Sequence, residues 1–252
     1  MSDRVQRYVL RVSEFLSVAE VRAEHRILLR LRQGALPFHV PEPVAAPAGQ
    51  TVVATPAGAA SFCRWLPGVR PGMEGEAAFE RFGRTAGQLS TALANVPLGI
   101  ARRDWRTDPR WVLPDDPTVD VLCGELRSAG MSAALTELLD FEFAGAGFRA
   151  QDILAALYNS TALDAPDWRR RTSAFLRGWV SVRRLEPAEV AALPELLIAR
   201  SLGSVLWRAA RWRRGGGCFG QVTARAGRLE ETTRWLATNE DEFMSVATEA
   251  SF

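Results

Sequence analysis

Around Gly75 the hydrophobic rhythm of the chain changes period. Before it, "RYVLRV" alternates apolar and polar residues over Arg7 to Val12, the two-residue period of a strand. Ser17 follows, with Glu20 three residues on, the pattern of a capping box. From Val18 to Leu31, the residues Val21, Leu28 and Leu31, with Ile27 and Leu29 beside them, predict a helix buried along one broad face. "PEPVAAPAGQTVVATPAG" is punctuated by proline and glycine and predicts short strands joined by turns, with "ASFCRWLPG" as a further strand and exit.

After Gly75, Phe79, Phe82, Ala86, Leu89 and Leu93 recur at helical intervals. "DPTVDVLCGELRSAG" predicts another helix, starting after Asp116 and stopped by Gly130. "LTELLDFEF" reads as one isolated strand. From Arg149 onward the pattern is helical: "AQDILAALYNS", "DWRRRTSAFLRGWVSVRRL", one long helix through "PAEVAALPELLIARSLGSVLWRAARWRRGGG", and a last one in "VTARAGRLEETTRWLATNEDEF". Strands gathered in front of helices predict an α+β chain. A small lobe of sheet plus one helix is expected over residues 1–68 and a larger, mainly helical lobe over 69–252, joined near Pro67 to Gly75.

Composition narrows the function classes. An apolar share of 47% with eight tryptophans supports a folded core. A net charge of +2 supplies no overall field toward nucleic acid or an anionic membrane, and neither partner is expected. All 31 basic residues are arginine, which removes lysine Schiff-base chemistry. Cys63, Cys123 and Cys218 lie far apart and are expected as reduced, mostly buried thiols without metal-ligand spacing. The first residues lack the apolar core of a signal peptide and no run is long enough to span a bilayer, so a cytoplasmic location is expected. His25 and His39 are expected at the surface or hinge side. With no histidine near Ser201 or Ser204, a Ser-His-Asp hydrolase is excluded. The basic, aromatic "LWRAARWRRGGG" reads as a helix end, since arginines suit its carbonyl terminus and Gly215 can stop it. "GAGFRA" fits a dinucleotide fingerprint at Gly145, Gly147 and Ala150, but "TALDAPDWRRRTSAF" offers no second parallel strand to complete the unit.

In order along the chain, these segments resemble the aminoglycoside phosphotransferase and homoserine kinase-like phosphotransferase enzyme family, which has the protein-kinase-like fold. "YVLRV" sits where that family carries a phosphate-contacting base, here Arg11, and "AEHRILLRL" matches the helix whose acid, here Glu24, pairs with it. "VPEPV" and "FCRWLPG" resemble the next strand and the hinge that cradles adenine. "LLDFEFAGAGFRAQDILAAL" resembles the metal-binding segment, with Asp140 as the metal ligand and Asp152 at the second acidic position. The resemblance spans roughly Arg7 to Trp212. It implies ATP (or GTP) and magnesium as cofactors, with Arg11 and Glu24 setting the phosphates and Asp140 holding the cation. Arginine in place of lysine makes that base larger, planar and suited to bidentate partners.

Two family parts are not found. The catalytic loop needs a His, an Asp two residues on and an Asn five beyond it. Asn95, Asn159 and Asn239 have no Asp five residues before them, and both histidines lie in the first lobe. No catalytic residue is therefore nominated. Seven residues precede Tyr8, room for one strand rather than the hairpin that carries the glycine-rich loop. The expectation is a small-molecule phosphotransferase family member with a truncated small lobe. The alternatives are a catalytically degenerate kinase-like protein that binds a ligand or partner, or an incomplete copy of an active enzyme.

Overall fold

The computed structural model describes residues 6–13, 16–68, 72–97, 102–103, 133–136, 145–160, 162–213 and 215–252. Strand β1 (Tyr8–Ser13) leads into helix α1 (Val18–Gln33), whose start is fixed as the sequence predicts. The Ser17 side chain accepts from the Glu20 backbone N–H, and the Glu20 carboxylate accepts from the Ser17 N–H at 2.8 Å. Strands β2 (Val52–Thr55) and β3 (Gly58–Arg64) form a hairpin, and β1 pairs antiparallel with β3, giving the order β1–β3–β2.

The register assigns the faces of this sheet. Arg11 lies opposite Ser61, Val9 opposite Cys63, and Val52 also opposite Ser61. This face meets α1, where Val21, Val52 and Ala59 form a small buried cluster flanked by Leu16 and Val18. Tyr8, Leu10, Val12, Val53 and Phe62 alternate onto the other face, and all five are exposed.

Helix α2 (Gly75–Ala94) opens the helical lobe. A second three-stranded sheet follows, with β4 (Arg102–Arg103) parallel and β5 (Ala133–Thr136) antiparallel to a central β6 (Gly145–Phe148). Of the isolated strand expected in "LTELLDFEF", Leu135 and Thr136 fall in β5, and the rest of the segment lies outside the described residues. "GAGF" is a strand and not a phosphate-cradling turn, which removes the dinucleotide fingerprint. Its glycines carry no strand propensity; pairing on both edges supplies what the side chains do not. The helix expected at Asp116 to Gly130 lies outside the described residues.

Helices α3 (Ala150–Asn159), α4 (Trp168–Val180), α5 (Pro187–Ala191), α6 (Leu193–Arg213) and α7 (Phe219–Ser251) complete the chain. One long helix was expected where α5 and α6 stand. Pro194 breaks it, because proline lacks the N–H that would continue the ladder and is accommodated only in a first turn.

The main core runs from α1 (Ile27, Leu28, Leu31) through α2 (Phe79, Leu89, Leu93) to α3 and α4, where Phe175 and Trp179 are fully buried. Helices α2 and α4 touch backbone to backbone. A β-carbon at Gly83 would overlap the Phe175 carbonyl, and one at Gly178 would overlap the Glu80 carbonyl. The small residue is required at both positions by proximity and not by backbone torsion.

Candidate functional site

On α1 the spacing 21–24/25–28–31 carries Glu24 and His25 onto the same buried side as Val21, Leu28 and Leu31. Arg11 of β1 points at that side. Its Nη1 donates to Glu24 Oε1 at 2.6 Å, with the two side chains 31% and 5% exposed. The couple expected from sequence is therefore formed, across the strand–helix interface. The acid is nearly dry while the arginine side chain is only partly buried. Such a pair fixes the arginine's direction and leaves it accessible to an anion.

His25, expected at the surface, is buried at 2% exposure, and its Nδ1 lies 2.8 Å from Thr51 Oγ1. Burial, reinforced by the Arg11 charge, lowers its pKa from 6.5 to about 4. A neutral imidazole thus backs the Arg11–Glu24 couple and ties α1 to the segment before β2. The helical spacing held this signal, since positions 24 and 25 fall between Val21 and Leu28. His39 is exposed, as expected.

Cys63 faces the same side as Val9 and is half-buried. Burial and then the Glu24 charge push its thiol above the ordinary value, against an opposing pull from Arg11, so it is not an activated nucleophile. Cys218, expected to be buried, is exposed, because it sits in the turn before α7. Cys123 lies outside the described residues. Glu42 braces the lobe from the connecting segment, pairing with Arg32 of α1 at 2.9 Å and Arg64 of β3 at 3.1 Å.

Asp140, the expected magnesium ligand, lies outside the described residues. Asp152 is buried at 1% exposure in the first turn of α3. Its charge acts on Arg149, which is bonded through Nε to Glu189 Oε1 at 2.7 Å. Burial pulls Arg149 below its usual value, with Arg183 adding and Glu186 and Asp152 opposing. Arg149 therefore locks α3 to α5. Among the described residues no group of three or more His, Cys, Asp or Glu side chains is placed to hold a metal ion.

The sequence profile of the phosphotransferase enzyme family, APH, matches residues 1–131, the half of the chain that contains the Arg11–Glu24 couple. The chain belongs to this family. Solved structures agree at the level of fold. The chain is similar to the microcompartment-associated aminopropanol kinase, at 19% identity and a TM-score of 0.62, over 94% of this chain and 88% of that one. It is also similar to a choline/ethanolamine kinase family protein from Mesorhizobium loti, at 14% identity and 0.58, over 95% and 86%. An aminoglycoside phosphotransferase from Alicyclobacillus acidocaldarius gives 14% identity and 0.57, over 98% and 87%. No curated protein sequence matches the chain. The protein-kinase-like α+β architecture expected from the ordered motifs is thus the observed one.

Proposed function

We propose that this phosphotransferase binds a nucleoside triphosphate on the small lobe and transfers its terminal phosphoryl group to a hydroxyl of a small metabolite. The Arg11–Glu24 bond at 2.6 Å carries this reading, because it holds a partly buried arginine in one direction on the lobe that the family profile matches. Arg11 would contact the phosphates and Glu24 would keep it from swinging into solvent. Asp140 would hold magnesium, which offsets phosphate charge when bound. The acceptor class follows the relatives, whose names speak of an amino alcohol, choline or ethanolamine, and aminoglycosides.

A second reading, binding without turnover, is favoured by one observation: no His-x-Asp with an Asn five beyond occurs in the sequence. The two readings separate in a coupled assay for nucleoside diphosphate release, run with ATP, magnesium and a panel of amino alcohols and aminoglycosides. Acceptor-dependent release that Asp140→Ala abolishes establishes transfer. ATP binding without release for any acceptor establishes the second reading, and absence of ATP binding defeats both.

A further inference from the structure

The distal half of the α6–α7 hairpin stands outside the core. The two helices give Leu193, Leu196, Leu197, Leu236, Phe243 and Ala247 to the main cluster. Between Leu197 and Leu236, Ala210 is the one buried hydrophobic among the described residues. The same stretch concentrates charge. Between Glu195 and Glu230 the sequence holds seven arginines and no aspartate or glutamate. The net +2 of the chain conceals this, because the remainder is net acidic.

The tip of the hairpin is aromatic. Trp212 at the end of α6 and Phe219 at the start of α7 lie 5.0 Å apart with their planes 54° from parallel, and both are exposed. Exposed Arg213 adjoins Trp212. One turn back, Arg208 Nη1 reaches Gln221 Oε1 across the hairpin at 3.4 Å, and Arg208 and Arg211 both lie over the Trp207 ring. Arg225 is one turn further along α7. Burial, with the Arg225 and Arg211 charges adding, pulls Arg208 below the usual arginine value. Among the described residues, Arg208, Arg213 and Arg225 enter no ion pair. Arg228 differs, since it turns back to the body and pairs with Asp164 and Glu231.

We infer that this hairpin tip docks on a bilayer surface containing anionic phospholipids, with Trp212 and Phe219 entering the headgroup layer and Arg208, Arg211, Arg213 and Arg225 facing the phosphates. Paired aromatics flanked by arginines on a projecting helix end match the amphipathic demands of that interface. No described helix is long and apolar enough to cross the membrane, so the contact is peripheral. A single-stranded nucleic acid fits less well. It needs a basic groove with open ring faces, whereas this site is a hairpin end whose two rings are tilted against each other.

The test is co-sedimentation of the full chain with vesicles of phosphatidylcholine alone or mixed with phosphatidylglycerol, with an oligothymidylate titration alongside. The expected result is binding to the mixed vesicles only, lost as salt rises, and weakened about tenfold or more by Arg213→Glu with Arg225→Glu. Trp212→Ser with Phe219→Ser weakens it as well. Both pairs are exposed or half-exposed, so an unchanged circular-dichroism melt accompanies the loss. Equal binding to both vesicle types, no vesicle binding, or variants that bind like the parent would overturn the inference. So would oligothymidylate binding tighter than vesicle binding, which would reassign the tip to a nucleic acid.

Discussion

The two lobes are held together by different physics. The helical lobe is interlocked: α2 and α4 meet at glycines, and Phe79, Phe175 and Trp179 fill the space between helices with no exposed surface. In the small lobe, the sheet meets α1 through a dry cluster of Val21, Val52 and Ala59 among the described residues, joined by polar couples such as Arg11–Glu24, His25–Thr51 and the Glu42 bridges, while Ile27, Leu28 and Leu31 tie α1 to the main core. A tightly packed base carries a lightly packed sheet whose functional groups serve as its fasteners. On the proposed reading, the Arg11–Glu24 couple that would meet the phosphates is also one of the polar ties that order the small lobe.

The sharpest way to break this contrast is to overfill the interlock. Gly178→Ala should cost about 3 kcal/mol or more, at the upper end for overpacking, because the new methyl meets the α2 backbone at Glu80 and Arg84. Denaturant unfolding would show it as a lowered midpoint. Trp179→Ala should cost a similar amount by opening a cavity, in the range of 3–5 kcal/mol (~) for large aromatics.

The next effect depends on pH. His25 is held neutral in the fold, with its pKa lowered from 6.5 to about 4, so the unfolded chain binds the extra proton first. The stability this contributes is complete above pH 6.5 and is lost as pH falls toward 4. The loss approaches about 3 kcal/mol, and His25→Gln should flatten that part of the profile. Smaller still, Glu24→Ala should destabilise by about 2 kcal/mol, since it removes a charge-assisted bond whose acid is nearly buried. At the bottom of the scale, Ser17→Ala should cost about 1 kcal/mol by uncapping α1.

What was legible in the sequence tracks how local the cause is. The Ser17–Glu20 box, the alternation in β1 and the periodicity of α2 act within a few residues, and the structure shows each where it was expected. Strand β6 was not legible because "GAGF" becomes a strand only through β4 and β5, partners over 40 and over 8 residues distant in the chain, respectively. These two separations, like the burial of His25 against Thr51 26 residues away, are tertiary facts. Leu29 shows the reverse failure: it was grouped with the buried face of α1 but is exposed, since it lies a full helical step off the 21–28–31 line. At the site, the Arg11–Glu24 couple was readable only because strand and helix positions occur in a familiar order; nothing local joins residues 13 apart.

The most direct measurement is calorimetric titration of ATP with magnesium into the parent protein, Arg11→Met and Glu24→Gln. If the couple seats the phosphates, the parent binds, Arg11→Met loses affinity by about tenfold or more, and Glu24→Gln loses a smaller part while its melting profile stays close to the parent's. Equal affinity in all three proteins, or no heat of binding for the folded parent at millimolar nucleotide, would contradict that assignment.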